Sequence, residues 1–217
     1  MSFHDRKTAG EALAKSLIKY KEHSDAIVIG LPRGGVVVGY EIAKALKAPL
    51  DIVTPRKIPA PGNPEFAIGA VAEDGEAFLD QMLIEAGNVS RKYLEKTIDE
   101  KEREAKRRAS LYRDNHEAHD LKDKIVILVD DGIATGSTMH AAIHYIKRQK
   151  PKKLILAIPV AAPDSLEKIR PEVDELIVLE TPHDFSAVGQ FYTHFEETSD
   201  EEVIDLINSA RSNFVGD

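Results

Sequence analysis

The stretch Val126-Ile127-Leu128-Val129-Asp130-Asp131-Gly132-Ile133-Ala134-Thr135-Gly136-Ser137-Thr138 decides how the rest of the chain is read. An apolar, largely β-branched run ends in two adjacent carboxylates. A turn of small and hydroxyl residues follows, and a helical pattern begins near Met139. That order is the pattern of a buried parallel strand, a loop and a helix N-terminus. Successive backbone N–H groups in such a loop, with the helix dipole behind them, form a cradle for a phosphate. Thr135, Ser137 and Thr138 add hydroxyl donors, and Gly136 lets the backbone come close to a ligand. A phosphate repels carboxylates, so Asp130 and Asp131 must serve something beside it, such as ribose hydroxyls or a Mg²⁺-bound group.

The whole chain sets bounds on this reading. Its 217 residues suffice for one α/β domain, residues 1–217, with residues 57–120 expected as a lid and hood insertion. A formal net charge of -8 argues against general nucleic-acid binding. No apolar run approaches the ~18 residues that a bilayer span needs. Met1 to Lys7 is polar and lacks a signal-peptide core, so a cytoplasmic location is the default expectation. Without cysteine there is no disulfide, thiolate nucleophile or Cys-metal site.

Upstream, Phe3 to Lys21 has helical apolar spacing at Ala9, Leu13, Leu17 and Ile18, with Thr8 as the expected N-cap and Glu11 three residues on. Arg6 reads either as a surface charge or as an interior pairing that ties this helix to the core. Ala26 to Gly30 is a short buried strand, followed by Pro32-Arg33-Gly34-Gly35 and a helix through Leu46. Gly34 and Gly35 mark backbone that needs unusual torsions or a close approach. After the strand Leu50 to Thr54, the Pro- and Gly-rich segment Pro55 to Pro64 reads as a long loop, a lid that could bring Arg56 and Lys57 to a ligand. Glu65 to Ala72 and Ala77 to Leu79 read as a hairpin turning at Asp74-Gly75, with Glu65, Phe66 and Gly69 toward the cleft. Ser90 caps a long charged helix reaching about Asn115. Arg107, Arg108, Tyr112 and Arg113 on it form either a solvated face or a cationic cluster reaching down to phosphates.

Further strands are expected at Leu154 to Val160 and Leu176 to Leu179, and closing helices at Pro163 to Ile169 and Glu201 to Phe214. The segment His183 to Tyr192 lies between them, where Phe185, Phe191 and Tyr192 could wall a planar ring or simply pack in the interior. His183 reads as structural, and His140 and His144, four apart, lack a third metal ligand. Alternating strands and helices imply a mainly parallel sheet flanked by helices, with right-handed crossovers.

From Ile127 to Thr138 the chain resembles, without a gap, the phosphoribosyl diphosphate (PRPP) signature of the type I phosphoribosyltransferases: apolar residues, two acids, variable residues, then Thr-Gly-x-Thr. No Walker Gly-Lys-Ser/Thr and no Gly-x-Gly-x-x-Gly is present. With its Phe3-His4-Asp5-Arg6 start and long hood, the chain looks most like members of unassigned substrate. The resemblance implies an α/β fold with a hood, PRPP with Mg²⁺, and a small-molecule nitrogen acceptor, and leaves a homodimer open. It implies PRPP binding by Arg33, Gly34, Gly35, Asp130, Asp131, Gly132, Ala134, Thr135, Gly136, Ser137 and Thr138. Asp130, Asp131, Lys57 and Arg33 would be catalytic, Asp130 and Asp131 would be the protein's ligands to Mg²⁺ if it has any, and Phe185, Phe191 and Tyr192 would border the acceptor.

Relatives that use 6-oxopurines carry an acid where this chain has Ala134, so a general base for such an acceptor is missing. The rival reading is a PRPP-sensing protein without transferase activity. Arg33, Lys57 and both acids favour the enzyme. A phosphohydrolase ranks last, for want of a nucleophile or metal cluster.

Overall fold

Ala26–Gly30 and Ile125–Val129 are buried at every residue, as strands covered on both faces must be. The computed structural model describes residues 2–214, without the side chains of residues 65, 213 and 214. In chain order, the elements from the N-terminus through the first crossover are α1 (Arg6–Ser16), β1 (Ala26–Gly30), α2 (Gly34–Leu46) and β2 (Leu50–Ile52). The segment expected as lid and hood follows, made of β3 (Arg56–Ala60), β4 (Asn63–Val71), β5 (Ala77–Leu79), α3 (Gln81–Ala86) and α4 (Arg91–Tyr112), its strands forming a second sheet. The chain then returns through β6 (Ile125–Val129), α5 (Ser137–Arg148), β7 (Lys153–Val160), α6 (Pro163–Ile169), β8 (Glu175–Glu180) and α7 (Asp200–Phe214).

Five parallel strands pair in the order β2-β1-β6-β7-β8. Side-chain alternation divides the core in two. Val28, Ile127 and Ile155 pack with α1, α2 and α7 on one face, while Ile29, Leu128 and Leu156 pack with α5 and α6 on the other. From β1 the chain winds outward to β2, and it resumes on the other side at β6. The switch in winding direction therefore falls between β1 and β6, where open α/β sheets bind ligands at the carboxyl edge. Gly30 stands opposite Val129, so the loops after these two strands leave side by side.

In place of the expected long loop, the chain forms a strand. Arg56–Ala60 is a strand antiparallel to β4, and the turn is confined to Pro61 and Gly62, where Gly62 has φ +75. Pro59 sits at a register shift, where a missing N–H is tolerated, so its presence concealed the strand. Ile58, Ile68 and Val71 form a small core with Leu83, Ile84, Leu94 and Ile98, separate from the main sheet.

The start of α1 is also corrected. Asp5, not Thr8, is the N-cap: its carboxylate accepts from Thr8 N at 2.7 Å, and Thr8 Oγ1 accepts from Asp5 N at 3.1 Å. Among the described residues no helix is long and apolar enough to cross a membrane.

Candidate active site

Because β1 and β6 are neighbours in register, the turn into α2 presses against the acid pair at the end of β6. A Cβ on Gly35 would lie 2.8 Å from Asp130 Cα, and one on Gly34 would overlap the Asp131 carboxylate. At Gly35 the obstacle includes backbone, so only glycine fits; at Gly34 the Asp131 or Arg6 side chain would have to move. The Pro32–Arg33 peptide is cis. Gly136 takes φ +78 and turns the chain into α5, placing the backbone of Thr135 to Thr138 at a helix N-terminus. The loop is braced from behind, since Ile133 N donates to Val160 O at 3.0 Å and Ser165 Oγ donates to Ala134 O at 2.6 Å. Sequence reasoning missed Ser165, whose only signal is its place in the first turn of α6.

A cavity of about 150 Å³ opens here, lined by Lys57, Asp130, Thr135, Thr138 and Val188 among others. A larger groove between α1 and α2, about 620 Å³, is lined by Ala14, Ile18 and Ala45 and holds none of these residues.

Asp131 N donates to Asp130 Oδ1 at 2.8 Å, so the two acids are locked together. Burial pushes the Asp130 carboxyl well above the usual range, and the adjacent Asp131 adds to that. Burial likewise raises Asp131, against the opposing hydrogen bond and charge of Arg6. Arg6 takes the interior role: its Nε donates to Asp131 Oδ2 at 2.7 Å.

A strand ending in two acids, a glycine-tight turn beside it and a hydroxyl-rich loop opening a helix thus share one sheet edge. The phosphoribosyl transferase domain family matches residues 2–194. The chain belongs to this family. Curated relatives in two strains of Mycobacterium tuberculosis, CDC 1551 and H37Rv, carry a provisional phosphoribosyl transferase name. Each is 37% identical over 212 residues, which is 98% of this chain and 48% of the relative. The chain therefore spans about half the length of these relatives. The crystal structure of TT1426 from Thermus thermophilus is 39% identical, with both chains covered in full and a TM-score of 0.83. A hypoxanthine phosphoribosyltransferase structure from Staphylococcus aureus, 11% identical with TM-score 0.50 over 93% of this chain and 91% of that one, shares the fold.

Members of this family imply Mg²⁺ with PRPP, and the residues present fit such an ion. Two carboxylates face one paired arginine, leaving negative charge on hard oxygen donors, and Mg²⁺ typically takes one or two carboxylates together with substrate phosphates. Among the described residues no three His, Cys, Asp or Glu side chains converge on a metal position. PRPP oxygens and water would supply the remaining ligands.

Other expected site residues lie elsewhere. Lys57 lines the cavity, but Arg56 points to the opposite face of β3 and pairs with Glu104 at 2.6 Å. The Arg33 side chain turns away from the cavity to Glu197 and to Asp200, the latter at 3.7 Å, at the start of α7. Competing carboxylates hold it there. Arg113 does not reach toward phosphates: it is buried, donating to Asp51 Oδ1 at 2.8 Å, Glu73 Oε1 at 2.9 Å and Ile52 O at 2.6 Å. Arg108 sits near Tyr112 OH at 3.4 Å, and Arg107 is exposed.

The aromatic trio does not line the cavity. Phe185 packs on Phe191 at 5.3 Å between centroids, and Tyr192 lies between Phe3 at 5.5 Å and Phe195 at 4.9 Å. Phe3 N donates to Phe191 O at 2.7 Å and Thr193 N to Phe3 O at 2.8 Å, so the N-terminal segment covers these rings. Tyr192 instead supports the acids from behind, its OH donating to Asp131 O at 2.6 Å. From this segment, the residue that reaches the cavity is Val188, packed against Gly132. Phe66 is exposed on β4, and the Glu65 side chain lies outside the described residues. His183 is exposed. His140 and His144 flank Glu172 at 2.7 and 3.4 Å.

Proposed function

We propose that this chain transfers the 5-phosphoribosyl group of PRPP to a ring nitrogen of a nucleobase and releases diphosphate. One observation carries the reading: Asp130 after β6, Thr135, Gly136 and Thr138 of the loop opening α5, and Lys57 from β3 line a single cavity, with Asp131 hydrogen-bonded to Asp130 beside it. In this reading the 5-phosphate rests on the N–H groups and hydroxyls of the loop, where the helix N-terminus favours an anion. Asp130 and Asp131 orient the ribose hydroxyls and stabilise positive charge that develops on the sugar. The C1–O bond to diphosphate breaks as the acceptor nitrogen bonds to C1, and the proton of that nitrogen leaves with the diphosphate, whose oxygens accept it. Lys57 stands beside the departing diphosphate. When bound with PRPP, Mg²⁺ would neutralise part of the diphosphate charge. The β3–β4 hairpin over the cavity restricts water, which would otherwise hydrolyse PRPP.

The acceptor side has Val188 and Gly132 rather than an aromatic wall, and Ala134 supplies no base. This supports a planar acceptor other than hypoxanthine or guanine. The test is calorimetric titration with PRPP and Mg²⁺, followed by a diphosphate-release screen over purine and pyrimidine bases. Release with one base names the acceptor. Binding without release across the panel moves the chain to the sensing role, and no binding overturns the PRPP reading.

A further inference from the structure

We propose that Arg6 is a positioning residue for phosphoribosyl transfer, acting through Asp131; the inference rests on the PRPP reading of the acid pair. Asp130 and Asp131 are adjacent carboxyl groups in a closed setting, and when both are ionised repulsion favours rotamers that splay them apart. Arg6 opposes that rotation. Its Nε donates to Asp131 Oδ2 at 2.7 Å, with the side chains only 13% and 16% exposed. The contact is single-pointed, from Arg6 Nε to Asp131 Oδ2, and so fixes that oxygen of the carboxylate.

The arginine is itself held on its remaining sides. Its Nη1 donates to Glu196 O at 2.7 Å, and its guanidinium lies 3.8 Å over the Phe195 ring. The Asp5–Thr8 capping box fixes the first turn of α1, from which Arg6 projects. Asp131 is gripped on its backbone too, through Tyr192 OH on its carbonyl. Residues 191–196 supply Tyr192, Phe195 and Glu196, and the same segment is tied to the N-terminal residues by His194 N to His4 O at 2.8 Å. The N-terminal segment and residues 191–196 thus converge on Asp131, one at its carboxylate and the other at its backbone carbonyl. Arg6 does not line the cavity of Lys57 and Asp130. Its effect passes through the rotamer of Asp131.

The experiment measures kcat and KM for PRPP by diphosphate release in Arg6→Gln, Arg6→Lys and Arg6→Ala, with folding followed by circular dichroism. Misplacing a positioned group by about 1 Å costs on the order of 100-fold in rate. Arg6→Gln is therefore expected to lose about 100-fold in kcat with KM changed less than about fivefold. Arg6→Lys recovers part of the loss, because an ammonium keeps the charge but not the planar stack on Phe195. In Arg6→Ala, millimolar guanidinium chloride restores part of kcat, whereas sodium chloride at equal ionic strength does not. A folded Arg6→Gln whose kcat stays within twofold of the unmodified protein overturns the proposal. So does a loss that only tracks the unfolded fraction and is untouched by guanidinium. If Arg6→Gln does not fold, an Arg6→Lys protein equal to the unmodified one overturns it as well. An unmodified protein that releases no diphosphate with any acceptor brings down the enzyme reading itself, and that result is recognised before any variant is made.

Discussion

Gly34 lies directly over the Asp131 carboxylate, and a Cβ at Gly34 would also come within 2.5 Å of Arg6 Nε. The position opens α2, where alanine is the better helix former, so the helix itself should tolerate a methyl group. The acid pair should not. Gly34→Ala is expected to yield a folded protein whose kcat/KM for PRPP falls by about 100-fold or more, because Asp131 or Arg6 must move. Steady-state diphosphate release checks this, and an active Gly34→Ala protein would show that the close packing is incidental.

The acid pair also opposes stability in the ligand-free protein. Burial and then Asp131 raise the Asp130 carboxyl, so ionisation is less favourable folded than unfolded. A carboxyl with a raised folded value contributes stability at low pH that is lost as pH rises through that value. Asp130→Asn removes the buried charge. Its melting temperature without PRPP is expected to rise by a few degrees at pH 7 and to match the unmodified protein near pH 4, while diphosphate release is lost. A lower melting temperature at pH 7 would mean that the charge is better compensated than its surroundings indicate.

The sheet was legible because its strands are fully buried apolar runs, and the acid pair with Thr-Gly-Ser-Thr was legible because its residues are contiguous. What escaped depends on partners far along the chain. Arg113 reads as one more charge on a polar helix, yet Asp51 and Glu73, 62 and 40 residues away, draw it inside. Phe191 and Tyr192 read equally as ligand walls or as interior packing, and Phe3, from the other end of the chain, is what packs over them. Val188 carries no chemical signal and gains its place from Gly132. Arg33 carries the right charge beside the right glycines, but Glu197 and Asp200 decide where its side chain points.

Arg113 joins β2 to Glu73 after β4, and its acid partners give that joint a pH limit. Burial would raise the Asp51 carboxyl, but hydrogen bonds from His119 and the charge of Arg113 outweigh it and hold the group at about 2. A lowered carboxylate stabilises the fold above its unfolded value, near 4, and that stability is lost as pH falls toward 2. Asp51 alone should account for about 2–3 kcal/mol of acid-labile stability. Urea unfolding at stepped pH should therefore show a loss between about pH 4 and 2 that is smaller in Asp51→Asn. Arg113→Ala leaves the buried Asp51 and the partly buried Glu73 without their cation and is expected to cost about 3–5 kcal/mol at pH 7.

Strand alternation separates the last pair of residues by role. Lys57 and Arg56 are consecutive on β3, so one faces the cavity and the other faces Glu104 on α4. If Lys57 stabilises the departing diphosphate, Lys57→Met should lower kcat by about 100-fold and leave the melting temperature unchanged, since the side chain is exposed. Arg56→Met should do the reverse. Its ion pair is partly exposed, with side-chain values of 30% and 26%, so the loss is discounted to about 1 kcal/mol of stability. Its kcat should stay within about threefold. Equal kinetic losses in both variants would mean that the hairpin acts as a rigid cover whose integrity matters more than either cation, and Lys57 would then lose its assigned part in the chemistry.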